Sequence, residues 1–175
     1  MNNYVYNIGN KLYINLTNRC SNNCDFCIRH DHNGMNNIPL WIDEEPTPED
    51  VICQLPENMD EYDKEVVFCG FGEPTFRFKE LVKIGRELKA RGYIVRLDTN
   101  GQGNIINGRD ITEELATAVD KVNVSLNASS ADKYFDLCRP VFGEDAYESL
   151  IDFAKKCKAR GMYVTFSVVD CIGEE

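Results

Sequence analysis

The 175-residue sequence has no long apolar run and no recognisable leader. Its apolar stretches fall well short of the roughly 20 residues that a membrane-spanning helix needs, so the sequence does not predict a membrane protein. The first residues, MNNYVYNIGNKLYINLTNR, lack the basic segment followed by an apolar run that a secretory signal requires. We therefore expect a cytoplasmic protein that does not contact a membrane.

Basic residues are also scarce. The chain has 19 Lys and Arg residues against 29 Asp and Glu residues, which gives a net charge of −10 at pH 7. A protein field of this sign repels the phosphate backbones of nucleic acids. The charge therefore speaks against nucleic acid as a direct partner.

Cysteine, in contrast, is plentiful and unevenly placed. Three of the eight cysteines, Cys20, Cys24 and Cys27, lie in TNRCSNNCDFCIRH with CxxxCxxC spacing, and the others are scattered. Because cytosolic thiols stay reduced, this clustering indicates a metal site rather than disulfides. Three thiolates can hold three irons of a four-iron cluster and leave the fourth iron open. The alternative is a closed Cys3His zinc site completed by His30, and the triplet alone supports both interpretations equally.

Strand and helix patterns alternate along the sequence. The segments that read as strands are KLYINLT, EVVFCG, YIVRLDTNG, KVNVSLNA and MYVTFSVVD. Amphipathic helical patterns lie between them, and their ends are marked by Thr47 with Asp50 and Asp110 with Glu113 as capping boxes, by Asp145 as a cap, and by Gly92 and Gly161 as stops. This alternation predicts an α/β fold with a parallel sheet, formed as a single domain over residues 1–175.

Glycine and polar residues follow the second predicted strand in FCGFGEPTF. Gly70 and Gly72 let the backbone come close to a ligand, and the carboxylate of Glu73 can pair with an amino group there. Pro74 stiffens the turn. The C-terminal edge of the strands is where α/β sheets bind ligands, although this stretch alone is also typical of an ordinary strand-to-helix turn.

Two later strands end in polar motifs of the same kind. LDTNG presents the side-chain oxygens of Asp98, Thr99 and Asn100, and VSLNA puts Ser125 and Asn127 on one face because side chains alternate along a strand. Each motif by itself is weak. Together, in this order and at successive strand ends, they indicate one ligand-binding edge.

With these motifs in place, the sequence resembles the radical SAM superfamily, enzymes that use S-adenosylmethionine on a three-cysteine cluster. The resemblance runs from Leu12 to about Asp170. It implies a partial (β/α) barrel of five or six parallel strands. It also implies that Cys20, Cys24 and Cys27 hold a [4Fe-4S] cluster, which reductively cleaves S-adenosylmethionine to a 5'-deoxyadenosyl radical that abstracts hydrogen from a substrate. An external one-electron donor such as flavodoxin or ferredoxin is the implied partner.

The resemblance also assigns roles to the other motif residues. Phe26 is similar to the aromatic residue that lies beside the adenine, and Phe71 to Pro74 fall on the GGEP motif that binds the methionine amino group. Here Phe71 replaces the first glycine of that motif. The resemblance implies cofactor contacts for the set Phe26, Gly70, Phe71, Gly72, Glu73, Pro74, Thr99, Asn100, Ser125 and Asn127, with Ser125 and Asn127 at the ribose or the methionine carboxylate.

Narrower resemblances bear on the reaction. The stretches TNRCSNNCDFCIR, VVFCGFGEPTFR, LDTNGQG, SLNA and LCRPVFG look like those of the small TatD-associated radical SAM proteins. Members of that group continue into another helix and strand, so we expect a chain that is shortened at its C-terminal edge. LDTNG is similar to a turn in a glycyl-radical-enzyme activase that binds a monovalent cation, which implies such a cation near Asp98 and Thr99. An activase and a 7-carboxy-7-deazaguanine synthase are the alternative reactions, and the substrate stays open.

Overall fold

Strands and helices alternate through the part of the chain that the computed structural model describes, residues 2–30, 33–35 and 37–169. The strands are β1 (Val5–Ile8), β2 (Lys11–Ile14), β3 (Gly34–Met35), β4 (Ile38–Pro39), β5 (Glu65–Phe68), β6 (Ile94–Thr99), β7 (Lys121–Ser125) and β8 (Tyr163–Ser167). The helices are α1 (Pro48–Gln54), α2 (Phe78–Ala90), α3 (Gly103–Ile106), α4 (Thr112–Ala116), α5 (Ala131–Cys138) and α6 (Asp145–Ala159), with short 3-10 turns at Met59–Glu61 and Pro74–Arg77.

One six-stranded sheet organises these elements, in the order β1-β2-β5-β6-β7-β8. From β2 onward every neighbouring pair is parallel, whereas β1 pairs antiparallel with β2. The parallel strands follow one another in chain order, so each crossover returns on the same side of the sheet. The predicted α/β fold with five parallel strands is confirmed, and within the described residues the sheet stays open between β1 and β8.

The two faces of the sheet differ sharply in polarity. The helix-covered face carries fully buried apolar side chains from four adjacent strands, which form one core with α2 and α6: Leu12, Ile14, Val66, Phe68, Val95, Leu97, Val122 and Val124. The opposite face carries charges. Glu65 on β5 lies 3.1 Å from Arg96 on β6, 2.6 Å from Lys121 on β7 and 3.7 Å from Lys11 on β2. The apolar face is thus the one that packs against the helices, as expected for an α/β fold.

Helix ends agree with the sequence in part. Thr47 and Asp50 form the expected capping box at α1, and Gly92 and Gly161 follow α2 and α6 with φ of 86° each. The capping box expected at Asp110 is wrong, because Asp110 accepts from the amide and hydroxyl of Thr112 at 2.9 and 2.7 Å, before α4. Asp145 is likewise the first residue of α6 rather than its cap.

No helix in the described part of the chain combines the length and apolar character needed to cross a membrane. The expectation of a single domain over residues 1–175 stays a prediction, as does a shortened C-terminal edge. Of the cysteines, Cys171 lies outside the described residues.

Candidate functional site

A cavity of about 190 Å³ lies where β2, β5, β6 and β7 end. Most of the residues selected from the sequence line it: Cys20, Cys24, Phe26, Gly70, Phe71, Gly72, Glu73, Asp98, Thr99, Asn100, Ser125 and Asn127. Cys27 and Pro74 are not among the lining residues. Residues from four strand ends therefore meet in one place, as the parallel topology requires.

The three cysteines lie on the loop that follows β2. Its backbone turns back on itself, since the amide of Cys27 donates to the carbonyl of Cys24 at 3.1 Å. The sulfurs already accept hydrogen bonds, from the Asn22 amide to Cys20 at 3.4 Å and from the Arg29 Nε to Cys27 at 3.4 Å. Burial raises the pKa of the Cys20 thiol to about 11, so a metal that binds here must displace its proton.

The C-terminal end of α5 supports this loop. The last carbonyls of a helix have no partners within the helix, and here the loop amides supply them. Asn23 donates to the carbonyl of Cys138 at 2.9 Å, and Asp25 donates to that of Leu137 at 3.0 Å. Arg139, which ends α5 in the left-handed conformation with φ of 44°, also pairs with the Asp25 carboxylate at 2.7 Å. The shape of the cysteine loop thus depends on α5.

A buried set of polar side chains ties the same loop to β6 and α5. Asn22, between the first two cysteines, donates from Nδ2 to the Tyr134 hydroxyl at 2.8 Å. Gln102 donates from Nε2 to the Asn22 Oδ1 at 2.7 Å and to the same hydroxyl at 3.1 Å. Asn100 donates to the Ser21 hydroxyl at 2.8 Å. These buried hydrogen bonds favour a single geometry for the loop, although the Oε1 of Gln102 is buried without a partner.

Glu73 is buried and its carboxylate is already heavily used. Its Oε1 accepts from the Thr75 amide at 3.1 Å and from the hydroxyls of Thr75 and Thr99 at 2.7 and 2.8 Å. Its Oε2 accepts from the Asn100 amide at 2.7 Å. Burial raises the pKa of Glu73 despite these bonds. Each carboxylate oxygen has about two acceptor positions. Oε1 already accepts three bonds and Oε2 accepts one, so Oε2 keeps capacity for a further donor.

Two glycines of the same turn allow close approach between backbone segments. A Cβ at Gly72 would lie 2.3 Å from the Thr17 carbonyl oxygen and 2.5 Å from that of Arg19. One at Gly70 would lie 2.1 Å from the Asn15 Oδ1. Only glycine fits where the turn presses against the start of the cysteine loop.

The phenylalanine that replaces the first glycine of the GGEP motif has its own pocket. Phe71 is buried with Tyr6 and Leu40 in a small apolar cluster separate from the main core. Trp41 packs edge-on against it, with ring centroids 5.1 Å apart. This packing gives the Phe71 ring a place among β1 and loop residues, while the residue still contributes to the cavity lining.

The end of β7 is less completely paired. Asn127 is 4% exposed and has φ of 56°, so its side chain reaches the cavity from a left-handed backbone rather than by strand alternation. Its Nδ2 lies 3.9 Å from the Cys138 sulfur, whereas its Oδ1 is buried without a hydrogen-bond partner. An unpaired buried acceptor costs free energy, so this oxygen is suited to accept a hydrogen bond from a ligand.

A larger cavity of about 600 Å³ adjoins the first and shares Asn127 with it. Its wall combines apolar side chains with a few charged ones: Asp25, Leu126, Ala128, Lys133, Leu137 and Val168. Pockets with a mostly apolar lining and a few polar groups suit small organic ligands.

The cation suggested near Asp98 and Thr99 finds no support in the geometry. The Asp98 carboxylate is paired with Arg96, Nε to Oδ1, at 3.0 Å. Thr99 points to the other side of the strand, where its hydroxyl donates to Glu73. A guanidinium already pairs with Asp98, and burial alternates along β6, so Asp98 and Thr99 lie on opposite faces of the strand.

The zinc alternative also lacks a ligand. The His30 Nε2 lies 3.0 Å from the Cys24 carbonyl oxygen, a backbone contact rather than a place among the thiols. Among residues 2–30, 33–35 and 37–169, no three His, Cys, Asp or Glu side chains are grouped as a single metal ion would require.

Sequence reasoning missed the second layer of contacts around the loop. The stretches TNRCSNNCDFCIR and LDTNGQG contain Asn22 and Gln102, but the resemblance attaches no role to either residue, and Tyr134 lies outside the quoted stretches. One signal was available. Tyr134 and Cys138 are four residues apart on a predicted helix and therefore share one face, and both are buried against the cysteine loop.

These features define an α/β protein with a cysteine-lined cavity at its strand ends, and the comparison with known families identifies the class. The model of the Radical SAM superfamily matches residues 14–174. The chain therefore belongs to the radical SAM superfamily, a family of enzymes, and its open sheet is a partial barrel of that type. The narrower likeness to the TatD-associated group stays a prediction.

Two solved structures share the fold. A radical SAM methyltransferase from Sphaerobacter thermophilus has a TM-score of 0.63 and 17% identity, over 98% of this chain and 51% of that chain. TYW1 with a lysine-pyruvate adduct bound has a TM-score of 0.55 and 19% identity, over 86% of this chain and 52% of that chain. The chain spans about half the length of these structures. No curated protein matches it.

Proposed function

We propose that the chain is the core of a radical SAM enzyme in which Cys20, Cys24 and Cys27 hold a [4Fe-4S] cluster. The observation that carries this proposal is the meeting of the cysteine loop with the ends of β5, β6 and β7 at one cavity. With S-adenosylmethionine bound, such a cluster supplies an electron that cleaves the sulfonium and yields a 5'-deoxyadenosyl radical for hydrogen abstraction.

The donor set fits an iron–sulfur cluster. All three side chains are thiols, which are the usual ligands of such clusters. Two of the three, Cys20 and Cys24, line the cavity, and the loop offers amide and guanidinium hydrogen bonds to Cys20 and Cys27. Three thiolates leave one iron open to a ligand in that cavity.

The remaining lining residues fit the parts of S-adenosylmethionine. Glu73 Oε2 keeps an acceptor position for the methionine ammonium group. Ser125 and the unpaired Oδ1 of Asn127 can accept from ribose hydroxyls. The half-buried ring of Phe26 would lie beside the adenine, and the larger adjoining cavity would give the nucleoside room. These groups orient the sulfonium and exclude water from it.

The electron would come from an external donor such as flavodoxin or ferredoxin in a reducing cytoplasm, where the thiols stay available for iron. The hydrogen donor is not specified by these residues. Neither a protein nor a metabolite substrate is favoured by the described part of the cavity.

The test is anaerobic reconstitution of the full chain with iron and sulfide. We expect a brown protein with about four irons per chain, whose reduced electron paramagnetic resonance (EPR) signal changes when S-adenosylmethionine is added. Reduction with dithionite should then release methionine and 5'-deoxyadenosine. Replacing the three loop cysteines by alanine should abolish colour, whereas Cys53→Ala, at an exposed cysteine outside the loop, should not. A colourless protein that retains one tightly bound zinc would contradict the proposal.

A further inference from the structure

Arg29 follows the last cysteine of the loop by two residues and contacts its sulfur. The Nε of Arg29 donates to the Cys27 sulfur at 3.4 Å. The stretch TNRCSNNCDFCIR contains Arg29, but the resemblance attaches no role to it. The Cys20 sulfur accepts instead from the backbone amide of Asn22. Among the residues that the structure describes, Cys27 is therefore the loop cysteine whose sulfur accepts from a charged group.

A second contact holds the Arg29 side chain in place. Its Nη1 donates to the Asn18 carbonyl at 3.0 Å, just before the first cysteine of the loop. Asn18 is itself bound to Ile42, since its Nδ2 donates to the Ile42 carbonyl at 2.7 Å and its Oδ1 accepts from the Ile42 amide at 3.2 Å. A guanidinium is a rigid fork of donors, so the bond to Asn18 also directs the Nε of Arg29 at the Cys27 sulfur.

The charge of Arg29 is not used in an ion pair within the described part of the chain. Two other arginines that flank the site are paired with carboxylates, Arg19 with Glu45 at 2.7 Å and Arg139 with Asp25 at 2.7 Å. Arg29 is also partly buried, and charges that are partly buried are screened less than exposed ones. Its positive charge therefore acts mainly on the loop sulfur that it contacts.

Arg29 approaches Cys27 from outside the cavity. Neither residue is among those that line the cavity at the strand ends or the larger cavity beside it. The guanidinium therefore does not occupy the space proposed for S-adenosylmethionine. An effect of Arg29 on the site must pass through the Cys27 sulfur.

We propose that Arg29 is a positioning residue whose charged N–H donates to the Cys27 thiolate and thereby raises the reduction potential of the bound cluster. The inference rests on the proposed function. Hydrogen bonds to the sulfurs and net charge are among the quantities that set the potential of such clusters. Reduction adds one negative charge to the cluster and its ligand sulfurs, and a cationic donor stabilises that charge. The external one-electron donor then reduces the cluster more readily.

The experiment compares the reconstituted natural chain with Arg29→Met, Arg29→Lys and Arg19→Gln, all without S-adenosylmethionine. Iron and sulfide contents are measured first, and the midpoint potential is then followed by EPR during a redox titration. For Arg29→Met we expect a midpoint potential more negative by about 59 mV, a tenfold change in a one-electron reduction equilibrium, because the charge and the donor are both gone. Arg29→Lys keeps a charged donor and should lie closer to the natural chain. The matched control Arg19→Gln removes an equal charge that is paired with Glu45, and it should shift the potential much less.

A cluster that assembles fully in Arg29→Met with an unchanged midpoint potential would overturn the inference. Shifts of equal size in Arg29→Met and Arg19→Gln, or in Arg29→Met and Arg29→Lys, would overturn it as well. If Arg29→Met fails to retain iron, Arg29→Gln keeps a neutral donor and should show a smaller negative shift. Loss of iron in both neutral variants would also overturn it, because Arg29 would then serve only to shape the loop. If the natural chain itself assembles no cluster, the proposed function fails.

Discussion

The two sides of the cavity are built differently. On the side formed by the ends of β5 and β6, Glu73 accepts four hydrogen bonds from Thr75, Thr99 and Asn100. On the side formed by the end of β7, Asn127 keeps a buried oxygen without a partner. The first side is paired within the chain except for one acceptor position on Glu73, whereas the second keeps a buried acceptor that a ligand would pair. We therefore expect substitutions on the first side to cost mainly stability, and those on the second to cost mainly affinity.

The substitution with the largest expected effect on stability is Glu73→Gln. A buried hydrogen bond to a charged group is worth about 1.5–3 kcal/mol, and the glutamine amide would place a donor against donors from Thr75, Thr99 or Asn100. We expect the free energy of unfolding to fall by about 3 kcal/mol, measured by urea denaturation. Glu113→Gln, at a side chain 82% exposed, is the control and should change it by about 0.5 kcal/mol or less. Equal effects of the two substitutions would contradict the comparison.

Two milder substitutions, one on each side of the cavity, test the same comparison. Thr99→Val keeps the side-chain shape and removes the hydroxyl that donates to Glu73 at 2.8 Å and accepts from the Gly101 amide at 3.0 Å. We expect a loss of about 1.5 kcal/mol in unfolding free energy. Ser125→Ala removes a hydroxyl from the other side of the cavity and should cost about 0.5 kcal/mol or less. If Ser125→Ala lowers the unfolding free energy more than Thr99→Val does, the comparison is contradicted, because the end of β7 would then contribute more to stability.

Asn127→Gly is expected to change affinity more than stability. Glycine tolerates the left-handed backbone at this position, so the fold should lose less than about 1 kcal/mol. Affinity for S-adenosylmethionine should fall about tenfold, which corresponds to about 1.4 kcal/mol, measured by calorimetry on the reconstituted protein. Asn37→Gly, at an exposed asparagine with φ of 65°, is the matched control and should bind normally. If Asn127→Gly binds S-adenosylmethionine as tightly as the natural chain does, the ligand does not pair with the buried oxygen of Asn127, and the comparison fails.

The sequence predicted the five parallel strands, because buried apolar residues alternate along four of them. It did not predict β1. The pattern of VYNI contains an asparagine and is short, and the strand forms through antiparallel pairing with β2 and the stacking of Tyr6 on Tyr13 at 5.3 Å. Such a strand depends on tertiary contacts that local propensity does not contain.

The sequence predicted which residues line the cavity better than it predicted how they are arranged. The motifs identified most of the lining residues, since parallel strands bring their C-terminal ends together. Two of the four donors to Glu73 are the amide and hydroxyl of Thr75, two residues further along the chain. The other two, from Thr99 and Asn100, could not be predicted, because they lie on β6 and the turn after it, whose alignment with β5 is set by the whole sheet. Asn127 was expected at the cavity because side chains alternate along a strand. In the structure β7 ends at Ser125, and Asn127 reaches the cavity because its own backbone is left-handed.

The support that α5 gives to the cysteine loop has a consequence for how the protein matures. Asn23 and Asp25 leave the ribosome early, whereas the carbonyls of Leu137 and Cys138 that accept from them are synthesised late. Chains emerge N-terminus first, and domains fold as units once their parts are present. The cysteine loop therefore reaches its final shape only after α5 has been synthesised, so the proposed cluster would be inserted after translation has passed α5.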